Sequence, residues 1–101
     1  MANRHDPRPR APSPAEAEAL AAELFGRLAA DDERLERFLS LTGLAPDTIR
    51  QAAGEPGFLA AVLDHVLGDE RLLLALADEV GRPPEHVAAA RAVLGPEPIG
   101  D

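Results

Sequence analysis

Apolar residues recur every three or four positions along most of the chain, which is the spacing of helices that each bury one face. The densest run lies between Asp69 and Gly81. Asp69 suits an N-cap, because its carboxylate can accept a hydrogen bond from a first-turn N–H, and Gly81 suits the left-handed residue that ends a helix. The pattern predicts a short helix here, at the centre of the fold.

Five further segments show the same spacing between residues that start or stop helices. The first opens on Ser13-Pro14-Ala15-Glu16, a capping box with proline at the first helical position. In chain order, the predicted helices start and end at Ser13 and Ala30, Asp31 and Gly43, Pro46 and Gly54, Pro56 and Gly68, Asp69 and Gly81, and Pro84 and Gly95. We therefore expect an all-α domain over residues 13–95, a compact bundle of six short helices. A disordered tail at 1–12 and a C-terminal tail at 96–101 flank it.

An internal repeat emerges when the chain is shifted by 38 residues against itself. Asp31 then falls on Asp69, Phe38 on Leu76, and Gly43 on Gly81. The match covers caps, core positions and helix ends together. It predicts two pseudo-repeated three-helix units, one following the other.

One leucine of the fifth predicted helix does not fit its amphipathic pattern. The core face of this helix carries Leu72, Leu73, Leu76 and Val80. Leu74 falls on the opposite side, between Glu70 and Asp78. Either the helix is buried on two sides, or Leu74 is an exposed contact for a partner or a second copy. Leu74, Glu70 and Asp78 are therefore the candidate interface.

Composition limits the chemistry that the chain can perform. Its 101 residues suit one domain, and only three are aromatic, so the core must be built mainly from leucine, valine and alanine. The absence of cysteine excludes disulfides and thiolate metal sites. No apolar segment follows the arginine-containing start, as a signal peptide would require, and no apolar run is long enough to span a membrane. We therefore expect a cytoplasmic protein without membrane contact.

Charge argues against nucleic-acid binding. The formal net charge is −8, and the tail up to Pro12 carries Arg4, Arg8 and Arg10 against Asp6 alone. The rest of the chain is therefore more acidic than the whole, and it repels phosphate backbones. The tail itself is a weak basic signal.

A helix-turn-helix-like spacing nevertheless keeps nucleic acid open as the alternative. Ala77, Gly81 and Val87 have the small residue, turn glycine and β-branched residue of that motif, and a similar pattern surrounds Gly43. The helices that follow present acids near their starts, which would face negative base edges and phosphates. We interpret these pairs chiefly as packed helical hairpins.

Residues for metal binding and catalysis are few. His5, His65 and His86 are not at ligand spacing, and we expect His65 to form a surface ion pair with Asp69 one turn later. The chain has no Cys, Lys, Tyr or Trp, and its few hydroxyls include Thr42, which we expect to face inward. We expect Arg91 to keep its charged head in water. The sequence predicts no metal, no cofactor and no enzymatic activity.

Two runs carry a family resemblance. They are Arg-Phe-Leu-Ser-Leu-Thr-Gly-Leu at 37–44, and Phe-Leu-Ala-Ala-Val-Leu-Asp at 58–64 with the Asp-Glu-Arg-Leu-Leu-Leu that follows at 69–74. Together they resemble DUF3572, a family of small bacterial proteins of unknown function, from about Ala15 to Leu94. The resemblance implies a small helical protein and no transferable activity.

These observations favour a protein-interaction or adaptor module without catalysis. Its partner would be another protein or a second copy, bound through an apolar patch at Leu74 that acids frame. The alternative is a nucleic-acid-binding regulator with duplicated helix-turn-helix-like units.

Overall fold

A computed structural model describes residues 11–55 and 57–95, and within these ranges the chain is all-helical with no β-strand. The six helices are α1 (Pro14–Ala29), α2 (Asp32–Thr42), α3 (Ile49–Ala52), α4 (Phe58–Leu67), α5 (Glu70–Val80) and α6 (Pro84–Val93). The predicted all-α bundle of six helices is therefore confirmed.

Side chains near the helix starts satisfy backbone N–H groups, as the sequence predicts. At α1, the Ser13 N–H donates to the Glu16 carboxylate at 2.8 Å, and the Glu16 N–H donates to the Ser13 hydroxyl at 3.1 Å. Asp31 and Asp69 accept from the N–H groups of the third residues of α2 and α5. Each cap replaces water around a first-turn donor that has no partner within the helix.

The centre of the bundle is formed by α1 and α4, and not by the helix between Asp69 and Gly81 as the sequence analysis predicted. α1 packs against α2, α4, α5 and α6, and α4 also packs against α5 and α6. α5 contributes only Leu76 and Ala77 as buried residues. The core cluster consists of Ala17, Leu20, Ala21, Leu24, Leu28, Phe38, Phe58, Val62, Leu63, Val66, Leu76, Val87 and Ala90.

Three phenylalanines join α1, α2 and α4. The rings of Phe25, Phe38 and Phe58 meet edge to face, with centroids 5.2 to 6.1 Å apart. Such contacts stabilise beyond the apolar area that they bury, because ring edges and faces carry opposite partial charges. This trio fills a core that is otherwise aliphatic.

α3 is much shorter than predicted. The sequence places its start at Pro46, but residues 46–48 form a turn in which the Thr48 hydroxyl donates to the Ala45 carbonyl at 3.1 Å. Ala45 has no side chain that could cap a helix starting at Pro46. The helix therefore begins only at Ile49. α4 also starts late, at Phe58, after Gly57 with a φ of 94°.

The predicted two-unit repeat is matched only in part. α2 and α5 are both 11 residues long, with aspartate N-caps and left-handed glycine ends at Gly43 and Gly81. The third helices differ, because α3 has 4 residues and α6 has 10. The structure does not confirm two equivalent three-helix units.

The predictions for the tails fall mostly on residues 1–10 and 96–101, outside the described ranges. Ala11 and Pro12, which the sequence analysis assigned to the first tail, are described, and Pro12 is buried. Within the part of the chain that the structure covers, no helix combines the length and the hydrophobicity that crossing a membrane requires.

Candidate functional site

The outward face of α5 presents a leucine between two acids. Leu74 keeps 50% of its accessible surface, and both Glu70 and Asp78 are exposed. The interpretation that this helix is buried on two sides is therefore wrong. We call Glu70, Leu74 and Asp78 the Leu74 surface. The structure shows that it is accessible, and its role as an interface stays a prediction.

Leu74 is exposed because another side of α5 packs against the bundle. Leu76 and Ala77 are buried, whereas Leu72, Leu73 and Val80, which we predicted as core, are half-buried against it. The buried arc is thus displaced toward Ala77, whose small side chain allows close approach to the neighbouring helices.

A second exposed leucine was missed by the sequence analysis. Leu41, near the end of α2, keeps 65% of its accessible surface. Helical periodicity places Leu41 outside the apolar stripe of Leu35, Phe38 and Leu39, so it could have been identified from the sequence as a candidate exposed residue. Leu41 has no matching pair of acids one turn away, because Arg37 precedes it and Ala45 follows it.

A groove of about 400 Å³ lies between α2 and α5, with His65 of α4 also on its wall. We call it the α2–α5 groove. Its lining residues are Glu33, Arg34, Arg37, His65, Asp69, Arg71, Leu72 and Ala75. Sequence reasoning did not find this groove, because it is assembled from helices that are distant along the chain.

Ion pairs hold the two sides of this groove together. The Arg34 guanidinium donates to both carboxylate oxygens of Glu79, at 3.0 and 3.4 Å, and so links α2 to α5. Arg37 is more loosely held, since its Nε lies 4.0 Å from an oxygen of Asp69. The other oxygen of Asp69 caps α5 by accepting from the Leu72 N–H at 3.2 Å.

His65 is packed rather than paired. Its ring meets Phe38 edge to face at 5.1 Å, and its Nε2 is closed off from solvent without a hydrogen-bond partner. Burial lowers the pKa of His65 from 6.5, and the charge of Arg37 lowers it further, against an opposing effect of Asp69. The predicted ion pair between His65 and Asp69 is wrong, because Asp69 instead caps α5 and faces Arg37.

Arg91 is also more buried than predicted. Its Nε donates to Asp64 at 2.7 Å, its side chain is only 16% exposed, and it also donates to the Gly95 carbonyl. The expectation that its head lies in water is wrong. The interaction joins α4 to α6, since the guanidinium fork can serve a carboxylate and a carbonyl together.

The described residues contain no group of three histidines, aspartates or glutamates that could hold a metal ion. Two hydroxyls serve helix ends. Ser13 caps α1, and Thr42 donates to the Phe38 carbonyl at 2.7 Å while its residue stays exposed, so the inward placement expected for Thr42 is wrong. The expectation that the protein is not an enzyme stays a prediction.

The helix-turn-helix-like pairs differ from each other. In the pair α5–α6, Ala77 and Val87 are buried on either side of Gly81, as the packing motif requires. In the pair α2–α3, the second helix spans little more than one turn. It offers much less surface than a recognition helix that must lie along a groove of DNA.

The comparison with family models decides the relationship of the chain. The model described as "Protein of unknown function (DUF3572)" matches residues 14–97. The chain belongs to this family. No curated protein and no solved structure shows a significant match. The resemblance predicted from the two sequence runs is thus confirmed. The family description of DUF3572 carries no activity, so a function has to be argued from the surface of the molecule.

Proposed function

We propose that this DUF3572 member is a protein-interaction module without catalysis, and that it binds its partner through the Leu74 surface. The supporting observation is that Leu74 is half exposed on α5. Single exposed leucines are common, so exposure alone says little. The neighbouring residues strengthen the argument, because the acidic residues Glu70 and Asp78 lie one helical turn before and after Leu74. An apolar contact surrounded by charged groups is typical of the centre and rim of an interface.

The flanking acids indicate what kind of partner fits. In a symmetric dimer through Leu74, the carboxylates of Glu70 and Asp78 from both copies would lie close together and repel. A partner that presents an apolar side chain beside arginine or lysine would instead pair with them. We therefore favour a different protein with a basic and apolar contact segment over self-association.

Two leucine variants test the proposal. Leu74→Glu places a charge in the proposed contact, and Leu41→Glu is the matched control, because Leu41 is exposed to a similar degree on another helix. The wild type would be used to capture proteins from an extract of the producing cells. The captured protein would then be purified and its Kd measured against all three chains.

We expect Leu74→Glu to raise the Kd at least about tenfold, since truncating or charging an interface centre costs more than 1.4 kcal/mol. Leu41→Glu should raise the Kd less than Leu74→Glu does, because Leu41 lies nearer the edge of the proposed contact, in a depression that Glu70 also lines. Equal affinity for the wild type and Leu74→Glu contradicts the proposal. Sedimentation at several concentrations should show a monomer. A dimer that Leu74→Glu abolishes would contradict the basic-partner form and identify the second copy as the partner.

A further inference from the structure

In the α2–α5 groove, basic residues outnumber acidic ones, whereas acidic residues predominate in the molecule as a whole. Residues 11–95 contain seven arginines and fifteen acidic residues. The groove is lined by three of those arginines and by only two acids, Glu33 and Asp69. A concentration of cations on an acidic surface attracts a negative ligand to that place and not to the rest of the molecule.

Two of the three cations have donors to spare. Arg34 is held by both oxygens of Glu79. Arg37 lies 4.0 Å from Asp69 with a side chain that is 66% exposed, so most of its N–H groups remain open to other acceptors. Arg71 is exposed on the first turn of α5, and no carboxylate of the described residues lies within ion-pair distance of it.

The wall between these arginines is apolar. Leu72 and Ala75 line it from α5, and the ring of His65 lines it from α4. Nε2 of His65 is closed off, so this nitrogen offers no hydrogen bond to a ligand in the groove. The volume of about 400 Å³ is within the range of sites for small molecules.

We propose that the α2–α5 groove binds a small carboxylate with an apolar tail, its charge paired with Arg37 and Arg71 and its tail against Leu72 and Ala75. The planar guanidinium matches a carboxylate through two parallel hydrogen bonds. Glu33 and Asp69 disfavour a second negative charge, so a carboxylate fits better than a phosphate monoester. The proposal rests on the groove alone and is independent of the Leu74 surface.

Nuclear magnetic resonance titration of the full ¹⁵N-labelled chain tests it at neutral pH. The probes are hexanoate, hexan-1-ol as the same tail without the charge, and inorganic phosphate as a charge without the tail. We expect saturable shifts with hexanoate at the amides of residues 71–75 and at the side-chain N–H groups of Arg37 and Arg71. Hexan-1-ol and phosphate should each bind at least about tenfold more weakly, since each lacks one half of the recognition.

The variants show whether binding depends on the arginine charges or only on apolar contact with the groove. The double variant Arg37→Gln and Arg71→Gln should weaken hexanoate at least about tenfold and leave hexan-1-ol unchanged. Arg50→Gln, outside the groove, is the matched control and should bind hexanoate as the wild type does. Leu74→Glu should also bind hexanoate normally, which distinguishes this site from the proposed interface. Any of three results overturns the proposal. They are the absence of saturable shifts, equal binding of hexanoate and hexan-1-ol, and full hexanoate binding by the double variant.

Discussion

At the scale of single residues, Phe38 joins three other rings in the core. It is fully buried, and its ring contacts Phe25, Phe58 and His65. Helical periodicity predicts an inward position for each phenylalanine by itself. It cannot predict that the three rings meet, because those contacts join residues on three different helices.

Phe38→Ala should therefore remove a large part of the stability. Phenylalanine to alanine in a core costs about 3 to 5 kcal/mol, against a total of about 5 to 15 kcal/mol for a typical domain. Urea unfolding followed by circular dichroism measures the loss. Leu41→Ala is the control and should change the free energy of unfolding by less than about 0.5 kcal/mol, because its side chain is exposed.

His65 gives the stability a defined dependence on pH. Its pKa in the folded protein lies below 6.5, chiefly through burial and then through Arg37, although Asp69 opposes the shift. The unfolded chain therefore binds a proton more readily than the folded one. The contribution of neutral His65 to the free energy of unfolding is therefore fully present above about pH 6.5. It decreases as the pH falls toward the pKa of His65 in the folded protein.

The variant His65→Gln should remove this dependence. Free energies of unfolding measured between about pH 7.5 and 5 should fall less steeply for His65→Gln than for the wild type. All other side chains are the same in both chains, so the difference between the two slopes isolates the contribution of His65. Identical slopes for wild type and His65→Gln would show that His65 is not buried as described.

At the scale of elements, residues with a local physical role set most helix boundaries. Ser13, Asp31 and Asp69 start helices because each side chain accepts a nearby N–H, and the sequence shows these residues directly. The boundary of α3 was predicted wrongly. There the Thr48 hydroxyl and the Ala45 carbonyl hold a turn, and proline at 46 alone does not start a helix.

The cap of α2 should be worth about 1 kcal/mol. Asp31→Ala removes the oxygen that accepts from the Arg34 N–H at 3.0 Å and leaves that donor to water. Chemical denaturation should show a loss of roughly 0.5 to 2 kcal/mol. Glu36→Ala, exposed in the middle of the same helix, should stay within about 0.5 kcal/mol of the wild type. A loss in Glu36→Ala as large as in Asp31→Ala would mean that general charge, and not capping, stabilises α2.

At the scale of the whole molecule, the sequence predicts the class of fold but not the surfaces between helices. The position of Leu74 opposite the core face follows from the period of one helix. Its exposure does not, because the period cannot show whether a second surface covers that side of the helix. The α2–α5 groove depends on Arg34 meeting Glu79, 45 residues away. The period of a single helix carries no information about contacts between residues so far apart in the chain. The sequence analysis chose the wrong central helix for the same reason, since the centre is set by which helices pack together.

The net charge makes a prediction about nucleic acid. A chain of net charge −8 with acids exposed near the starts of its second helices should not bind DNA, because it repels phosphates. Gel-shift titration against genomic fragments at low salt, where electrostatic binding is strongest, should show no complex. A complex that weakens steeply with added salt would support the alternative of a nucleic-acid-binding regulator.

Site-specific cross-linking tests the interface at Leu74 most directly. The chain has no cysteine, so Leu74→Cys and Leu41→Cys each provide a single thiol for a photoactivatable group. In the presence of the captured partner, illumination should yield clearly more cross-linked complex from position 74 than from position 41. No product from position 74, or equal products from both positions, would contradict the account.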